Sequence, residues 1–228
     1  MGGQACVFYG AAEFSRDCDI VIVADDQNLT RLNLALAALE AECIAVPPYD
    51  RRFWERGHAI HFRCQHPDVK GIRLDIMTTM RGCDPFEQLW ERRLTVEDDN
   101  GEVYEILGIE DLVKAKKTQR DKDWPMIQRL VDAHYDEFHA SPTEDQICFW
   151  LKESRTPEVL IATTVTYPEL CNQIAMTRPL LATAISGNRD TVKQMLHDEE
   201  AAERIADEKY WQPLKAELYT LRSQRSRR

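Results

Sequence analysis

The sequence predicts an α/β (α+β) protein, with a small mixed sheet flanked by helices and then a mainly helical C-terminal extension. Three observations carry that expectation. The apolar run Ile20 to Val23 and the alternating run Val69 to Met77 have strand length and are separated by a helical pattern. Asn100-Gly101 sits between two extended runs as a hairpin turn. From the linker-like Ser141 to Glu144 onward the strand signals fade, so a first domain over residues 1–138 and a helical region over residues 142–228 are expected.

At 228 residues, with 43% hydrophobic and 30% charged positions, the chain has the composition of an ordinary globular protein large enough for a real core. No apolar run reaches the ~20 residues that cross a bilayer, and no charged-then-apolar leader opens the chain, so a cytoplasmic protein without membrane contact is expected. Seven cysteines without a Cys-x-x-Cys pair read as reduced thiols rather than a disulfide framework or zinc knuckle. A formal charge of -10 disfavours broad DNA binding. The basic end, Arg222, Arg225, Arg227 and Arg228, reads first as a solubilising tail.

Gly2 to Asp19 reads as a glycine pair, a short helix, a turn and the start of a strand. Asp17 and Asp19 stand at i and i+2 of that strand, so both carboxylates project from one face, about 7 Å apart at the backbone. Such a pair repels unless a cation lies between the two. Asp25 to Asn28 supplies turn and cap chemistry, and Leu29 to Glu42 then reads as a helix with Leu32, Ala35, Leu36 and Leu39 on its apolar face. Ile44 to Val46 is a short strand stopped by Pro47-Pro48, and Tyr49 to Gly57 a loop or short helix. His58 to Cys64 looks extended, and the odd spacing of His58 and His61 rejects a His-x-x-His metal site on a strand.

In the Val69–Met77 run, Ile72, Leu74 and Ile76 share one face while Arg73 and Asp75 share the other. Asp75 therefore meets the first two carboxylates if the two strands are neighbours, and otherwise forms a salt bridge with Arg73 or Lys70. Pro85 to Arg93 reads as a short helix, and Asp98-Asp99 as a solvated hairpin tip. Lys116, Arg120 and Asp123 fall at i, i+4 and i+7, on one face if the helix opened by Gly108 runs unbroken. His134 is expected in the core. Ser141, Pro142 and Glu144 read as a helix start. Val159 to Val165 is ambiguous between strand and helix, and the last helical stretch, Glu199 to Leu221, is expected to kink or break at Pro213. Trp150, Trp211 and Tyr219 read as core packing.

The order glycine pair, helix, Asp-x-Asp strand, and then Leu74-Asp75-Ile76 resembles the signature of the nucleotidyltransferase superfamily. Within it, the layout is most similar to the stand-alone bacterial branch of minimal nucleotidyltransferases and abortive-infection AbiEii-like proteins. Gly108 to Asp123 resembles that branch's second signature, although its usual spacing from lysine to arginine is one residue longer, so the lysine role could belong to Lys116, Lys117 or Lys114. The resemblance covers about Gly2 to Ala133. It implies transfer of a nucleoside monophosphate from a nucleoside triphosphate to a hydroxyl on tRNA or on a partner protein, in a toxin–antitoxin or phage-defence setting. It also implies Asp17, Asp19 and Asp75 as catalytic ligands of Mg2+ or Mn2+, with Gly2, Gly3, Ser15, Arg16, Lys116, Arg120 and Asp123 around the nucleotide. The rival expectation is a catalytically incomplete protein of the same fold that acts as a binding or antitoxin scaffold.

Overall fold

The computed structural model describes residues 1–225, so Arg227 and Arg228 of the basic end lie outside the described residues. The chain is mixed α/β with small mixed sheets and a helical C-terminal stretch. It divides into two compact units. The first comprises residues 1–8, 12–115 and 209 onward, and the second residues 9–11 and 116–208.

The first unit opens with helix α1 (Gly2–Phe8) and strand β1 (Asp17–Val21). Helix α2 (Asp26–Ala38) follows, capped by Asp25, whose Oδ1 accepts from Asn28 N at 2.7 Å. That cap starts the helix earlier than the apolar periodicity indicates, and Glu40, with φ of 48°, ends it before Glu42. The next strand, β2, is Glu42–Cys43, so Ile44 to Val46 is not the strand expected there. Helix α3 (Arg51–Glu55), strand β3 (Ile60–Arg63) and strand β4 (Arg73–Met77) complete the sheet.

The strand order is β1-β4-β3-β2. β1 runs parallel to β4, while β3 is antiparallel to both β4 and β2. Cys18, Leu74, Ile76, Ile60 and Phe62 share one parity, and most of them are buried with Ile22, Leu36, Phe53 and Trp54 in one core. Trp54 locks α3 under the sheet by donating from Nε1 to Ile76 O at 2.9 Å. Helix α4 (Phe86–Glu91) and hairpin β5 (Leu94–Glu97) with β6 (Val103–Ile106) stand beside this sheet as a separate ladder. Asp98 closes the hairpin turn by accepting from the N–H groups of Asn100 and Glu102, each at 2.9 Å. Helix α5 (Ile109–Lys116) follows the hairpin.

The second unit is helical: α6 (Asp123–Phe138), α7 (Glu144–Glu153), α8 (Pro157–Thr166), α9 (Pro168–Ala175) and α10 (Leu180–Ala184). The expected boundary at residues 138–142 is the α6–α7 turn inside this unit. Thr143, not Ser141, caps α7, in a reciprocal box with Gln146. The ambiguous run Val159 to Val165 is helical, with Thr163 and Thr164 donating their hydroxyls to backbone carbonyls one turn back. His134 is a packing residue, accepting at Nδ1 from Trp150 Nε1 at 2.9 Å. Arg178, 7% exposed, donates to Leu151 O and Ser154 O and so satisfies carbonyls at the end of α7.

The final helix, α11 (Arg189–Arg225), runs through Pro213 without a break, so of the kink or break expected there the break does not occur. Its last part belongs to the first unit, where Glu217 takes a hydrogen bond with the buried His58 at 2.8 Å and an ion pair with Arg56. Tyr219 is 74% exposed and is not a core residue, whereas Leu221, half a turn on, packs against the sheet core. Among the described residues no helix is long and apolar enough to cross a membrane.

Pro213 lies inside α11, where proline removes one backbone hydrogen bond and crowds the carbonyl a turn earlier. Pro213→Ala is expected to raise stability by about 1–3 kcal/mol. Urea denaturation with an unchanged slope checks this, and a lowered midpoint would show that the proline shapes α11 for its packing.

Candidate functional site

Residue parity builds the polar face of the four-stranded sheet. In the parallel β1–β4 register Asp17 lies opposite Arg73 and Asp19 opposite Asp75. In the β3–β4 register His61 lies opposite Asp75 and Arg63 opposite Arg73. Alternation then places Asp17, Asp19, Arg73, Asp75, His61 and Arg63 on one face, away from the apolar core. The expected neighbourhood of the Asp17–Asp19 strand and the Asp75 strand is what the structure contains.

The glycine pair abuts these carboxylates. A side chain at Gly2 would collide with the Asp19 carboxylate, and one at Gly3 with the Ser15 hydroxyl. Gly2 also has φ of 68°, a conformation that glycine adopts at no steric cost. Ser15 Oγ donates toward Asp17, lying 3.0 Å from both its backbone oxygen and Oδ1. The amino group of Met1 donates to Asp19 O at 2.8 Å. Gly2, Gly3, Ser15, Asp17 and Asp19 thus form one contiguous group, while Arg16 is exposed beside Phe14.

Asp75 is committed differently. It is 5% exposed, and its Oδ1 accepts from Arg73 Nε and shares a hydrogen bond with His61 Nδ1, both at 2.8 Å, while Arg73 Nη2 donates to Oδ2. Burial works to raise its carboxyl, but the hydrogen bonds from His61 and Arg73 win and hold it at about 2. Among the described residues, no group of three histidine, cysteine, aspartate or glutamate side chains is placed to hold a metal ion. The alternative salt bridge to Arg73 is therefore formed, with His61 as an added partner that local spacing did not indicate.

Lys116, Arg120 and Asp123 come together in the second unit, but not on one unbroken helix. α5 ends at Lys116 and α6 begins at Asp123. The nearly buried Asp123 carboxylate accepts from Thr118 Oγ1 at 2.6 Å and from Arg120 Nε at 2.7 Å, with Lys116 Nζ at 3.6 Å. Trp124 Nε1 donates to Thr118 O, and Asp207 accepts from Gln119 N, so the whole turn is tied down. Lys117 pairs with Glu153 and Lys114 with Asp111.

No protein-family model matches the chain, and no curated protein does either.

Because the folded Asp75 carboxyl is held below its ordinary value, its stabilisation is complete above the unfolded value of about 3.9 and is lost as pH falls toward 2. Asp75→Asn is expected to cost about 1–3 kcal/mol at pH 7, with a smaller gap from the parent at pH 2.5. Denaturation at both pH values checks the sign, and a gap independent of pH would assign the loss to packing.

Proposed function

We propose that the protein is a metal-dependent nucleotidyltransferase, moving a nucleoside monophosphate from a nucleoside triphosphate to a hydroxyl on RNA or on a protein. The observation that carries this reading is the contiguity of the Gly2–Gly3 backbone with Ser15, Asp17 and Asp19, next to Asp75 on the adjacent strand. Glycines without side chains leave backbone N–H groups accessible at close range, an arrangement suited to phosphate oxygens.

Asp17 and Asp19 offer the hard oxygen donors that Mg2+ or Mn2+ takes, and Mg2+ commonly sits on one or two carboxylates with phosphates of its nucleotide. When bound, such a cation would supply neutralisation of triphosphate charge and activation of the attacking hydroxyl. Asp75 fits that role only if it exchanges Arg73 and His61, since both of its oxygens are engaged. In the proposed site its charge holds Arg73 beside Asp17 and Asp19, where the guanidinium offsets carboxylate repulsion when no cation is bound.

The same commitment of Asp75 favours a second reading, a nucleotidyltransferase fold that binds nucleotide or a partner as a scaffold without transfer. Calorimetric titration with Mg2+ and each nucleoside triphosphate, followed by incubation of labelled nucleotide with total tRNA and cell lysate, separates the two. Label in RNA or protein is expected under the first reading, and binding without label under the second. No nucleotide binding by the folded protein would sink the transfer reading and leave the partner-binding scaffold.

Asp19→Asn is expected to abolish label transfer while raising the metal-free melting temperature, because it relieves repulsion with Asp17 as it removes a donor. A melting temperature that falls would show that Asp19 is a structural partner in the resting protein.

A further inference from the structure

A cavity of about 330 Å3 lies in the first unit, lined by α1, β1, α4 and β6. Leu89, Ile106 and Leu107 line it and are buried. Phe8 of α1, Trp90 of α4 and Tyr104 of β6 line the same space and are each 40% exposed or more, so the cavity opens to solvent past aromatic rings. Single exposed apolar side chains are ordinary, but rings brought from three separate elements to one opening mark an interaction site. The volume is at the small end for ligand pockets, which suits a compact ring system.

The aromatic side of the cavity is held in place. The Arg93 guanidinium lies over the Trp90 ring, 4.0 Å from its centroid, and donates to Glu105 Oε2 and to Trp90 O, each at 2.7 Å. Phe86, also in the wall, is nearly parallel to Trp90, at 21° with centroids 5.7 Å apart. Phe8 packs against Tyr104 at 5.5 Å. Rings fixed in this way lose little freedom when a flat ligand stacks on them, whereas a saturated chain gains no such stacking.

Polar side chains then select among flat ligands. Gln4, Asp19, Arg93 and Glu105 line the cavity. Gln4 Nε2 donates to Ser15 O at 3.3 Å, which leaves Oε1 of the amide as an acceptor. Glu105 accepts from Arg93 and Thr95 through Oε2, so its Oε1 is a second acceptor. The lining side chains carry two carboxylates against one guanidinium, and that guanidinium is already paired. A ligand that brought negative charge inside would be repelled, and a ring that brings N–H donors is complementary.

We infer that this cavity binds a planar heteroaromatic ring bearing an amino group. The ring stacks on the aromatic side, and the amino group donates to the Gln4 and Glu105 oxygens. Such a ring has two sources: a free heterocycle or nucleoside, or the base of a nucleotide whose phosphates reach the Asp17–Asp19 group, since Asp19 belongs to both places. The inference rests on the cavity alone and holds for either source.

Adenine is the probe, and purine, the same ring system without the amino group, is its comparator. Titration calorimetry on the intact protein, in chelator and without metal, is expected to show adenine binding about tenfold or more tighter than purine, the worth of one hydrogen bond to a charged acceptor. Trp90→Ala is expected to weaken adenine about tenfold, as for loss of a stacking partner, and Tyr104→Ala gives a second reading if that variant unfolds. Photolabelling with 2-azidoadenosine is expected to mark the segment between residues 86 and 107.

Adenosine triphosphate separates the two sources. Binding tighter than that of adenosine only with Mg2+, and lost in Asp17→Asn, assigns the ring to a nucleotide at the candidate site, whereas equal or weaker binding assigns a free heterocycle or nucleoside. Four results would overturn the inference: no binding of adenine or adenosine by the folded protein, equal affinity for purine, affinity unchanged in folded Trp90→Ala and Tyr104→Ala, or label elsewhere in the chain. Adenosine triphosphate bound equally by the parent and both variants would overturn it and leave the transfer reading standing. Adenine bound without any nucleoside triphosphate binding would do the reverse.

Discussion

The parallel pairing of β1 with β4 is the constraint on which the candidate site depends. Side chains alternate along each strand, so one register decides at once which residues enter the core and which form the opposite face. With Asp19 beside Asp75, the residues of opposite parity, Cys18, Leu74, Ile76 and Phe62, fall on the core side with Trp54 beneath them. A slip by one residue would carry the carboxylates into that core. Burial of Ile76 and Phe62 therefore positions the charged row, although neither touches it from the polar side.

The charged row is also internally balanced. Three carboxylates stand beside two arginines and a histidine, and the most buried of the three is the one that holds both Arg73 and His61. Removing that carboxylate from water is costly, so it is paired and bonded on both oxygens. Asp17 and Asp19 are less buried, and their surroundings are set by Ser15 and by glycines that leave no room for a side chain. The face thus carries two classes of carboxylate: one already compensated by Arg73 and His61, and two set beside the Ser15 hydroxyl and the glycine backbone.

Most of the candidate site was legible where the information was local. Asp17 and Asp19 share a face by a two-residue period, and Arg73 shares one with Asp75 for the same reason, so their salt bridge is readable from three consecutive positions. His61 was not legible as a partner, because its place opposite Asp75 arises from an antiparallel pairing across a turn. Helix limits failed where side chains, not periodicity, set the boundary: Asp25 moved the start of α2, and Thr143 took the cap of α7 from Ser141. At Pro213 a break is not what the fold shows, since α11 carries the proline without interruption.

The turn between α5 and α6 shows how a motif's spacing can be satisfied by structure alone. Lys116, Thr118 and Arg120 converge on Asp123, and Asp207 takes the N–H of Gln119, so the charged run stabilises a break in the helix rather than one solvated face. Asp123 sits at the first position of α6, where the partial positive charge of a helix start favours a carboxylate. Neutralising Lys116 consequently leaves a nearly buried carboxylate with one cation fewer. Loss of nucleotide binding in such a variant has meaning only beside a measurement of folding, because the two effects share the same ion pair. Conversely, a variant at Lys114, whose partner is Asp111, perturbs a different carboxylate and leaves the Asp123 turn intact.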